Sequence, residues 1–388
     1  MKIAMIGQKG IPAAYGGVER HVEDLARELG LNGHEVLVYA RKWFIKNAPK
    51  QELTNVQRVV TPTIHTKHLD AIVHTFISTL HAIFISRPDI IHYHGVGPSL
   101  LAWIPRVLAP RAKVFVTFHC IDRYHQKWGP IAKFFLRLGE RTACAFAHQT
   151  IAVSKSIQQY CLNEYQARTH YIPNGVNLPG SVGLKALAPF GLAKNKYILM
   201  ASRLVPHKGA HYLIAAWQYA CRQNASRLKN YKLAIVGGST FTDDYVKTLH
   251  ALGEKDKSIV FTDWQSGPAL SALYGNAALL VHPSENEGLP ITVLEAMAHG
   301  RPVLVSDIAE HQEIIHDQNF LFKTGSVGSL ADQILKLLAN AALLKSAGIK
   351  NRLDVADRFN WNHITKDTIR LYEDARRKPF PISDPVTI

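Results

Sequence analysis

Cysteine and long apolar runs are both scarce in this 388-residue sequence. Its four cysteines never form a C-x-x-C pair, which argues against a disulfide scaffold or a thiolate metal site and predicts reduced thiols in a cytoplasmic protein. The most apolar stretches, Ala71–Ile85 and Val96–Ala109, contain His, Pro or Arg and fall short of the roughly 20 residues that a membrane-spanning helix needs. Met1-Lys2 leads directly into a strand pattern, so no secretory segment is predicted.

Acidic residues are also few: the sequence has 30 Asp and Glu and 45 Lys and Arg, which gives a net charge of +15. The excess is uneven: residues 1–180 hold 21 basic and 11 acidic residues (+10), and residues 181–388 hold 24 and 19 (+5). A basic first half suits nucleic acid, anionic lipid headgroups or a phosphorylated ligand. A solvated surface is the plainer interpretation, and composition alone leaves these alternatives open.

Several motifs that define large enzyme classes are missing. The sequence has no G-x-G-x-x-G of dinucleotide enzymes, no Walker loop, no G-x-S-x-G and no kinase motif set. No Asp-x-Asp follows a predicted strand, so a metal-bridged diphosphate is not indicated and no metal cofactor is expected.

Short β-branched runs alternate with amphipathic helical patterns, which predicts an α/β protein with parallel, doubly wound sheets. The first set of predicted strands is Lys2–Ile6, Glu35–Ala40, Asp89–His92, Val114–Phe118, Thr150–Val153 and His170–Ile172. The second set is Tyr197–Ala201, Lys232–Val236, Ser258–Phe261, Ala278–His282, Pro302–Ser306 and Asn319–Phe322. A turn-rich stretch at residues 173–180 separates the sets and predicts a hinge. Two such domains place a ligand cleft between the carboxyl ends of their sheets.

Two loops at predicted strand ends carry candidate anion-binding groups. The glycine-rich stretch Gly7–Gly17 lets backbone N–H groups approach an anion at a helix N-terminus, and it can equally be a plain structural loop. Arg203 and Lys208 follow a strand and stand five residues apart. Arg can fork onto two phosphate oxygens while Lys acts as a point charge, so the pair suits a diphosphate leaving group.

The most specific segment is Pro283–Ala296, where a predicted strand turns into a helix. Glu287 can accept hydrogen bonds from sugar hydroxyls. Glu295 is eight residues on, just over two helical turns, so it shares that face of the helix and can reach a ribose diol. Three backbone amides can point at phosphate from the helix mouth, those of Gly288, Leu289 and Ile291.

Histidine supplies the remaining candidates. His119 ends the predicted strand Val114–Phe118 and can donate a hydrogen bond to a sugar hydroxyl or a phosphate in the cleft, although a buried core histidine is the alternative. His92 and His94 could face one side of a strand as metal ligands. No third ligand stands at a suitable spacing, so no metal site is predicted.

Together and in this order, these motifs resemble glycosyltransferase family 4, retaining enzymes of the GT-B fold, in which two Rossmann-like domains face a cleft. The resemblance covers roughly residues 1–375. It joins Gly10–Glu19, His92–Gly95, His119, Pro173–Val176, Arg203–Gly209 and Glu287–Glu295. It implies that the last helix, Trp361–Arg376, returns to the first domain. The predicted domains are therefore 1–177 with about 361–388, on the acceptor side, and 178–360, on the donor side.

The resemblance also implies residue roles. The donor diphosphate would be held by Arg203, Lys208, Gly17, Gly288, Leu289 and Ile291. His119 and Glu287 would contact the transferred sugar as catalytic residues, and Glu295 would contact the ribose. Gly16 and Gly17 would form the acceptor-side loop.

The implied activity is transfer of a sugar, with retention of configuration and without a metal or other cofactor, from a nucleotide diphosphate sugar to a saccharide or lipid-linked saccharide. Asp122-Arg123 and Lys127-Trp128-Gly129 resemble a polysaccharide-building subset, of the exopolysaccharide, capsule or O-antigen type. Cys120 and Pro290 depart from the family pattern, and Pro290 removes one N–H from the phosphate loop.

No nucleic-acid partner is expected. The basic first domain suits an anionic membrane surface, on which a cytoplasmic enzyme would be peripheral. Two alternatives remain, a nucleotide-sugar epimerase of the same fold and a non-catalytic nucleotide-sugar-binding module.

Overall fold

The computed structural model describes residues 1–13, 15–46, 52–66, 69–124 and 128–377. Its first sheet has seven parallel strands, β1 Lys2–Ile6, β2 Glu35–Arg41, β3 Val56–Thr61, β4 Ile90–His94, β5 Lys113–Phe118, β6 Gln149–Ala152 and β7 His170–Tyr171. Their order in space is β3-β2-β1-β4-β5-β6-β7. The helices of this part are α1 Gly17–Leu31, α2 Lys42–Ile45, α3 Leu69–His81, α4 Val96–Ser99, α5 Trp103–Leu108, α6 Pro130–Phe146 and α7 Lys155–Tyr165. A π-helical turn, Ala82–Ser86, continues α3.

The second sheet has six parallel strands, β8 Tyr197–Ala201, β9 Lys232–Val236, β10 Ile259–Phe261, β11 Leu279–His282, β12 Val303–Ser306 and β13 Leu321–Phe322. Their order is β10-β9-β8-β11-β12-β13. The helices here are α8 Ala210–Gln223, α9 Ala225–Leu228, α10 Asp243–Gly253, α11 Gly267–Asn276, α12 Ile291–Ala298, α13 Ala309–Gln312, α14 Val327–Leu338 and α15 Ala341–Arg358. Both sheets reverse strand order beside their first strand, so the predicted pair of doubly wound, Rossmann-like domains is confirmed.

Strand β3 is the one strand of the described chain that the sequence did not predict. It pairs with β2 at the edge of the first sheet, and only its last residue, Thr61, is buried. Gln57 and Arg58 break the apolar run by which the central strands were found. An edge strand needs apolar residues on one face only, so it gives a weaker signal.

The apolar stretch Ala71–Ile85 was predicted to be too short and too interrupted to span a membrane. In length and in composition this prediction is wrong. Helix α3 and its π-helical turn run without a break over Leu69–Ser86, and in the described part of the chain this is the one single helix long and apolar enough to cross a membrane. Its buried side packs over the first sheet, against β1 and β3. It is therefore the crossover helix between β3 and β4.

The last helix, α16 Trp361–Arg377, packs on α1 and β5 of the first domain. Trp361 and Tyr372 are buried in one apolar cluster with residues of β1 and α1. The backbone N–H of Val176 donates to the carbonyl of Phe359 at 3.0 Å, so the two chain connections between the domains lie side by side. The predicted domain boundaries remain predictions, and the tail after Arg377 lies outside the described residues.

Candidate functional site

A cavity of about 430 Å³ opens between the carboxyl ends of the two sheets. Three of the loops around it directly follow strands, with His119 after β5, Arg203 after β8 and Glu287 after β11. Residues of both domains line this cavity. They include all ten candidates, Gly16, Gly17, His119, Arg203, Lys208, Glu287, Gly288, Leu289, Ile291 and Glu295.

Lys208 and Glu287 form a buried ion pair across the two donor-side loops. The loops are pinned together beside it, because the backbone N–H of Glu285 donates to the carbonyl of His207 at 2.8 Å. His282, at the end of β11, places Nε2 at 2.6 Å from a carboxylate oxygen of Glu287. Lys208 was predicted to contact the donor diphosphate and Glu287 the transferred sugar. Without a ligand, the two side chains bind each other.

Electrostatics keeps the Glu287 carboxylate ionised. Burial alone would raise its pKa, but the ammonium of Lys208 and the imidazole of His282 outweigh burial and hold the pKa well below its usual range. A negative charge fixed at this depth holds Lys208 at the mouth of the phosphate loop. An incoming diphosphate would therefore meet a cation that is already positioned.

Two helix N-termini open into the same cavity. Helix α1 begins at Gly17 after Gly16, and α12 begins at Ile291 after Pro290, and neither has a side-chain cap. Uncapped first-turn N–H groups and the positive end of the helix dipole attract anions. The arrangement agrees with the predicted approach of these amides to phosphate.

Gly288 is required for the two domains to come together. A Cβ at this position would overlap the carbonyl oxygen of His119, which belongs to the opposite domain. One residue further, the side-chain amide of Asn174 donates to the carbonyl of Leu289 at 2.8 Å. The donor loop and the first domain therefore touch through backbone atoms at the floor of the cleft.

Glu295 is half-buried on α12 and faces charged residues of α1 across the cleft. Burial raises its pKa, while Arg20 and the hydroxyl of Tyr274 oppose the rise. Arg20 itself pairs with Asp24 at 3.2 Å. Sequence reasoning missed Arg20 and Asp24. The signal was a cation one turn after Gly17, at the start of a helix that points at the cleft.

Lys9 is a second cation that the sequence did not identify, and it lies near Arg203 of the cleft. Burial lowers its pKa, Glu19 at 3.8 Å opposes that shift, and the nearby guanidinium of Arg203 adds to it. Lys9 lies in the glycine-rich loop whose function the sequence left open. Its proximity to Arg203 adds positive charge to the phosphate end of the site.

Four histidines lie together beneath the cavity. His94 Nδ1 is 3.3 Å from His119 Nε2, and His21 packs edge-on against His119 with ring centroids 4.8 Å apart. His92 bridges the hydroxyls of Thr117 and Tyr372, each at 2.7 Å. Burial lowers the pKa of His21 to about 4 and of His92 to about 3, and holds that of His119 well below its usual range. These imidazoles are neutral at physiological pH.

Spacing along the sequence offered no third metal ligand for the His92 and His94 pair, but the fold gives His94 two other neighbours of that kind. Ligand nitrogens of His21, His94 and His119 lie within 4.8 Å of one another, and a second such group is His282, Glu287 and His311. His21 and His119 come from α1 and from the end of β5, so spacing along the chain could not have revealed them. The expectation that transfer needs no metal remains a prediction.

Known proteins share this architecture and up to about a quarter of the aligned residues. The family model described as Glycosyltransferase Family 4 matches residues 15–179, and the model described as Glycosyl transferases group 1 matches residues 188–354. An uncharacterized glycosyltransferase of Methanocaldococcus jannaschii is 27% identical over 97% of this chain and 98% of its own.

Two further relatives have more specific descriptions. A UDP-Gal:alpha-D-GlcNAc-diphosphoundecaprenol alpha-1,3-galactosyltransferase of Escherichia coli is 23% identical over 68% of this chain and 70% of its own. The crystal structure of Anabaena HepE in complex with UDP-glucose superposes with a TM-score of 0.76 at 22% identity, covering 96% of this chain and all of that one. The two family models follow one another along the two sheets, and the chain therefore belongs to the glycosyltransferases of the family 4 type, with the GT-B fold.

Proposed function

We propose that the protein is a retaining glycosyltransferase that moves a sugar from a nucleotide diphosphate sugar to a saccharide or lipid-linked saccharide acceptor. The observation that carries the proposal is the convergence of Arg203, Lys208 and two uncapped helix N-termini on one cleft between two sheets. A diphosphate is the donor group that such a set of positive charges suits. The Anabaena complex with UDP-glucose supports a nucleotide-sugar donor. The Escherichia coli relative, named for its GlcNAc-diphosphoundecaprenol acceptor, supports an acceptor linked through diphosphate to a lipid.

Bond cleavage would be assisted at the leaving group. As the bond between the anomeric carbon and the diphosphate oxygen breaks, negative charge grows on that oxygen, and Arg203 and Lys208 would stabilise it. Glu287 and His119 would orient the sugar by hydrogen bonds to its hydroxyls, and Glu295 would hold the ribose.

Retention is proposed to follow a front-face route. The carboxylates that line the described cavity are Asp24, Glu287 and Glu295, and each lies beside a cation or an imidazole. A carboxylate held in this way is poorly placed to attack the anomeric carbon. The acceptor hydroxyl would instead attack from the side of the departing diphosphate, whose oxygen takes the acceptor's proton.

We propose that this transfer needs no metal ion, because side chains and helix N-termini supply the positive charge around the diphosphate. An acceptor of the lipid-linked kind would place the enzyme at the cytoplasmic surface of a membrane.

The test is product analysis with a panel of nucleotide sugars and lipid-linked or free saccharide acceptors, with and without EDTA. We expect a glycosylated acceptor and free nucleoside diphosphate in equal amounts, retention by NMR, and unchanged rates after chelation. Lys208→Ala should reduce turnover at least a hundredfold, and Lys350→Ala, at an exposed position of α15, should not. An isomerised nucleotide sugar formed without acceptor would establish an epimerase instead, and nucleotide-sugar binding without turnover would establish a binding module.

A further inference from the structure

Three helical segments cover one face of the first sheet. They are α3 with its π-helical turn, α5 and α6, which connect β3 to β4, β4 to β5 and β5 to β6. All three crossovers run in the same direction along the sheet, and right-handed connections therefore place them on the same side. Helix α4 packs against both α3 and α6, and α5 packs against α6, so the three segments are neighbours.

Helix α3 buries polar residues, while its apolar residues are half-buried or exposed. Its buried side chains are all polar, Asp70, His74, Thr75, Ser78 and Thr79. The hydroxyls of Ser78 and Thr79 bond inward, to Thr61 at 2.7 Å and to Tyr93 at 2.8 Å. Phe76, and Phe84 and Ile85 of the π-helical turn, are exposed. A helix on a water-exposed surface has the opposite orientation.

Helix α6 has the same reversed orientation. Its buried residues are small or polar, Gly139, Glu140, Thr142 and Ala143. Thr142 donates to the carbonyl of Ser99 at 2.8 Å, so α6 seats on α4 through these residues. Bulky apolar side chains point away from the protein, and Ile131 and Phe134 are 77% and 65% exposed.

The outward residues form one surface, which we call the apolar face. It comprises Leu69, Phe76, Phe84, Ile85, Trp103, Val107, Leu108, Ile131, Phe134, Phe135, Leu138 and Phe146. These are 12 of the 25 exposed large hydrophobic residues of the described chain, although the three segments hold only 41 residues between them. A concentration of this kind marks an interaction surface.

The charge around the apolar face has one sign. Positions 69–146, which span the apolar face, contain nine Lys and Arg and four Asp and Glu. Each acid has an internal partner: Asp70 accepts from Arg41, Asp89 from Arg376, Asp122 from the Cys120 thiol, and Glu140 from Tyr160 and Tyr165. The basic side chains are exposed among and beside the apolar residues, at Arg87, Arg111, Lys133, Arg137 and Arg141.

We propose that the apolar face docks this protein on an anionic lipid bilayer, with its aromatic and aliphatic side chains in the headgroup–acyl boundary. Basic residues that surround exposed apolar side chains are complementary to such a surface, whereas a second copy of this chain would bring like charges together. Helix α6 packs against the short helical turn Asp122–Tyr124, which begins three residues after His119 at the cleft. Docking would therefore bring the bilayer close to the cleft, within reach of an acceptor that is anchored in lipid.

The test is flotation of the full chain with vesicles of phosphatidylcholine and phosphatidylglycerol (70:30) and with phosphatidylcholine alone. We expect binding to the anionic vesicles that weakens with salt. Ile131→Ser/Phe134→Ser should lower partitioning at least tenfold, and Lys133→Gln/Arg137→Gln should lower it severalfold on the anionic vesicles only. The matched controls lie on α15 of the other domain. Ile349→Ser/Leu353→Ser, at positions 57% and 67% exposed, is the control for the apolar variant, and Lys345→Gln/Lys350→Gln is the control for the basic variant.

Equal flotation of the Ile131/Phe134 variant and its α15 control would overturn the proposal, as would a wild-type protein that does not float. Light scattering of the same samples identifies the competing outcome. A wild-type dimer that the Ile131/Phe134 variant dissociates, without any vesicle binding, would assign the face to a protein interface. Because the readout is lipid binding, it is independent of sugar transfer. Nucleoside diphosphate affinity, measured in parallel, should be equal for all four variants and confirms that each is folded.

Discussion

The structural and ligand-binding roles of the Lys208–Glu287 pair can be separated by substitution. The two side chains are 13% and 7% exposed, and His282 is the other partner of the carboxylate. Lys208→Met would leave a buried charge with the imidazole alone. Breaking a buried pair from one side costs about 3–5 kcal/mol. Because His282 stays at 2.6 Å, we expect a loss of about 2–3 kcal/mol in the free energy of unfolding at pH 7.

The double variant Lys208→Met/Glu287→Gln removes the stranded charge and should recover all but about 1 kcal/mol of that loss. Affinity for a nucleoside diphosphate should not recover. A hydrogen bond to a charged group contributes about 1.5–3 kcal/mol, so both variants that lack Lys208 should bind roughly 10–150 times more weakly by calorimetry. Glu287→Gln alone keeps the ammonium, so this variant should bind more tightly than both variants that lack Lys208.

The effect of pH on stability has a definite sign. The pKa of Glu287 is lowered in the folded state, so its pairing stabilises the protein fully above the ordinary value of 4.5. Below 4.5 this stabilisation declines, and it is lost as the pH falls through the lowered folded-state pKa. The stability gap between wild type and Lys208→Met should therefore narrow from pH 7 to pH 4 in urea titrations. A gap that stays constant would refute the electrostatic reasoning. A double variant that regains nucleotide affinity would refute the diphosphate role of Lys208.

Two further predictions concern the cleft. Gly288→Ala places a methyl group on the carbonyl oxygen of His119, so kcat/KM should fall at least tenfold. The control Gly328→Ala has open space around its Cβ and should keep wild-type kinetics. Equal rates for the two variants would contradict the close approach of the domains. Burial raises the pKa of Glu295, so the KM for the donor should rise as the pH falls toward that pKa. Glu295→Gln should flatten this dependence. Parallel plots of KM against pH for the wild type and the variant would show that Glu295 does not contact the donor.

Most of the fold was predictable because parallel strands buried on both faces leave continuous apolar runs in a sequence. Both central strands of the second sheet, β8 and β11, are fully buried and were found within one residue. Strand β3 was missed because it is at an edge, and α3 was misjudged because isolated histidines do not interrupt a helix. Predicted strand boundaries differ from the observed ones by one or two residues, because backbone pairing rather than composition decides where a strand ends.

The candidate site was predictable where strand ends and chain order determine position, and not where partners come from distant segments. The ten candidates line one cavity because they lie in loops that follow strands at the same edge, or in the helices that begin there. The pairing of Lys208 with Glu287 joins residues 79 positions apart. The approach of Arg20 to Glu295 and of His21 to His119 crosses between elements. Such contacts depend on how helices pack, which a local pattern does not encode.

The apolar face shows why helix periodicity alone is ambiguous. An amphipathic pattern identifies two stripes on a helix, and the usual assumption assigns the apolar one to the core. In α3 the assumption fails, because Ser78 and Thr79 find hydroxyl partners in the first domain. Once the polar stripe is satisfied inside, the apolar stripe is left half-buried or facing outward. The same one-sided charge that sequence counting found over residues 1–180 surrounds that stripe, and a basic, apolar exterior is what a bilayer surface would require.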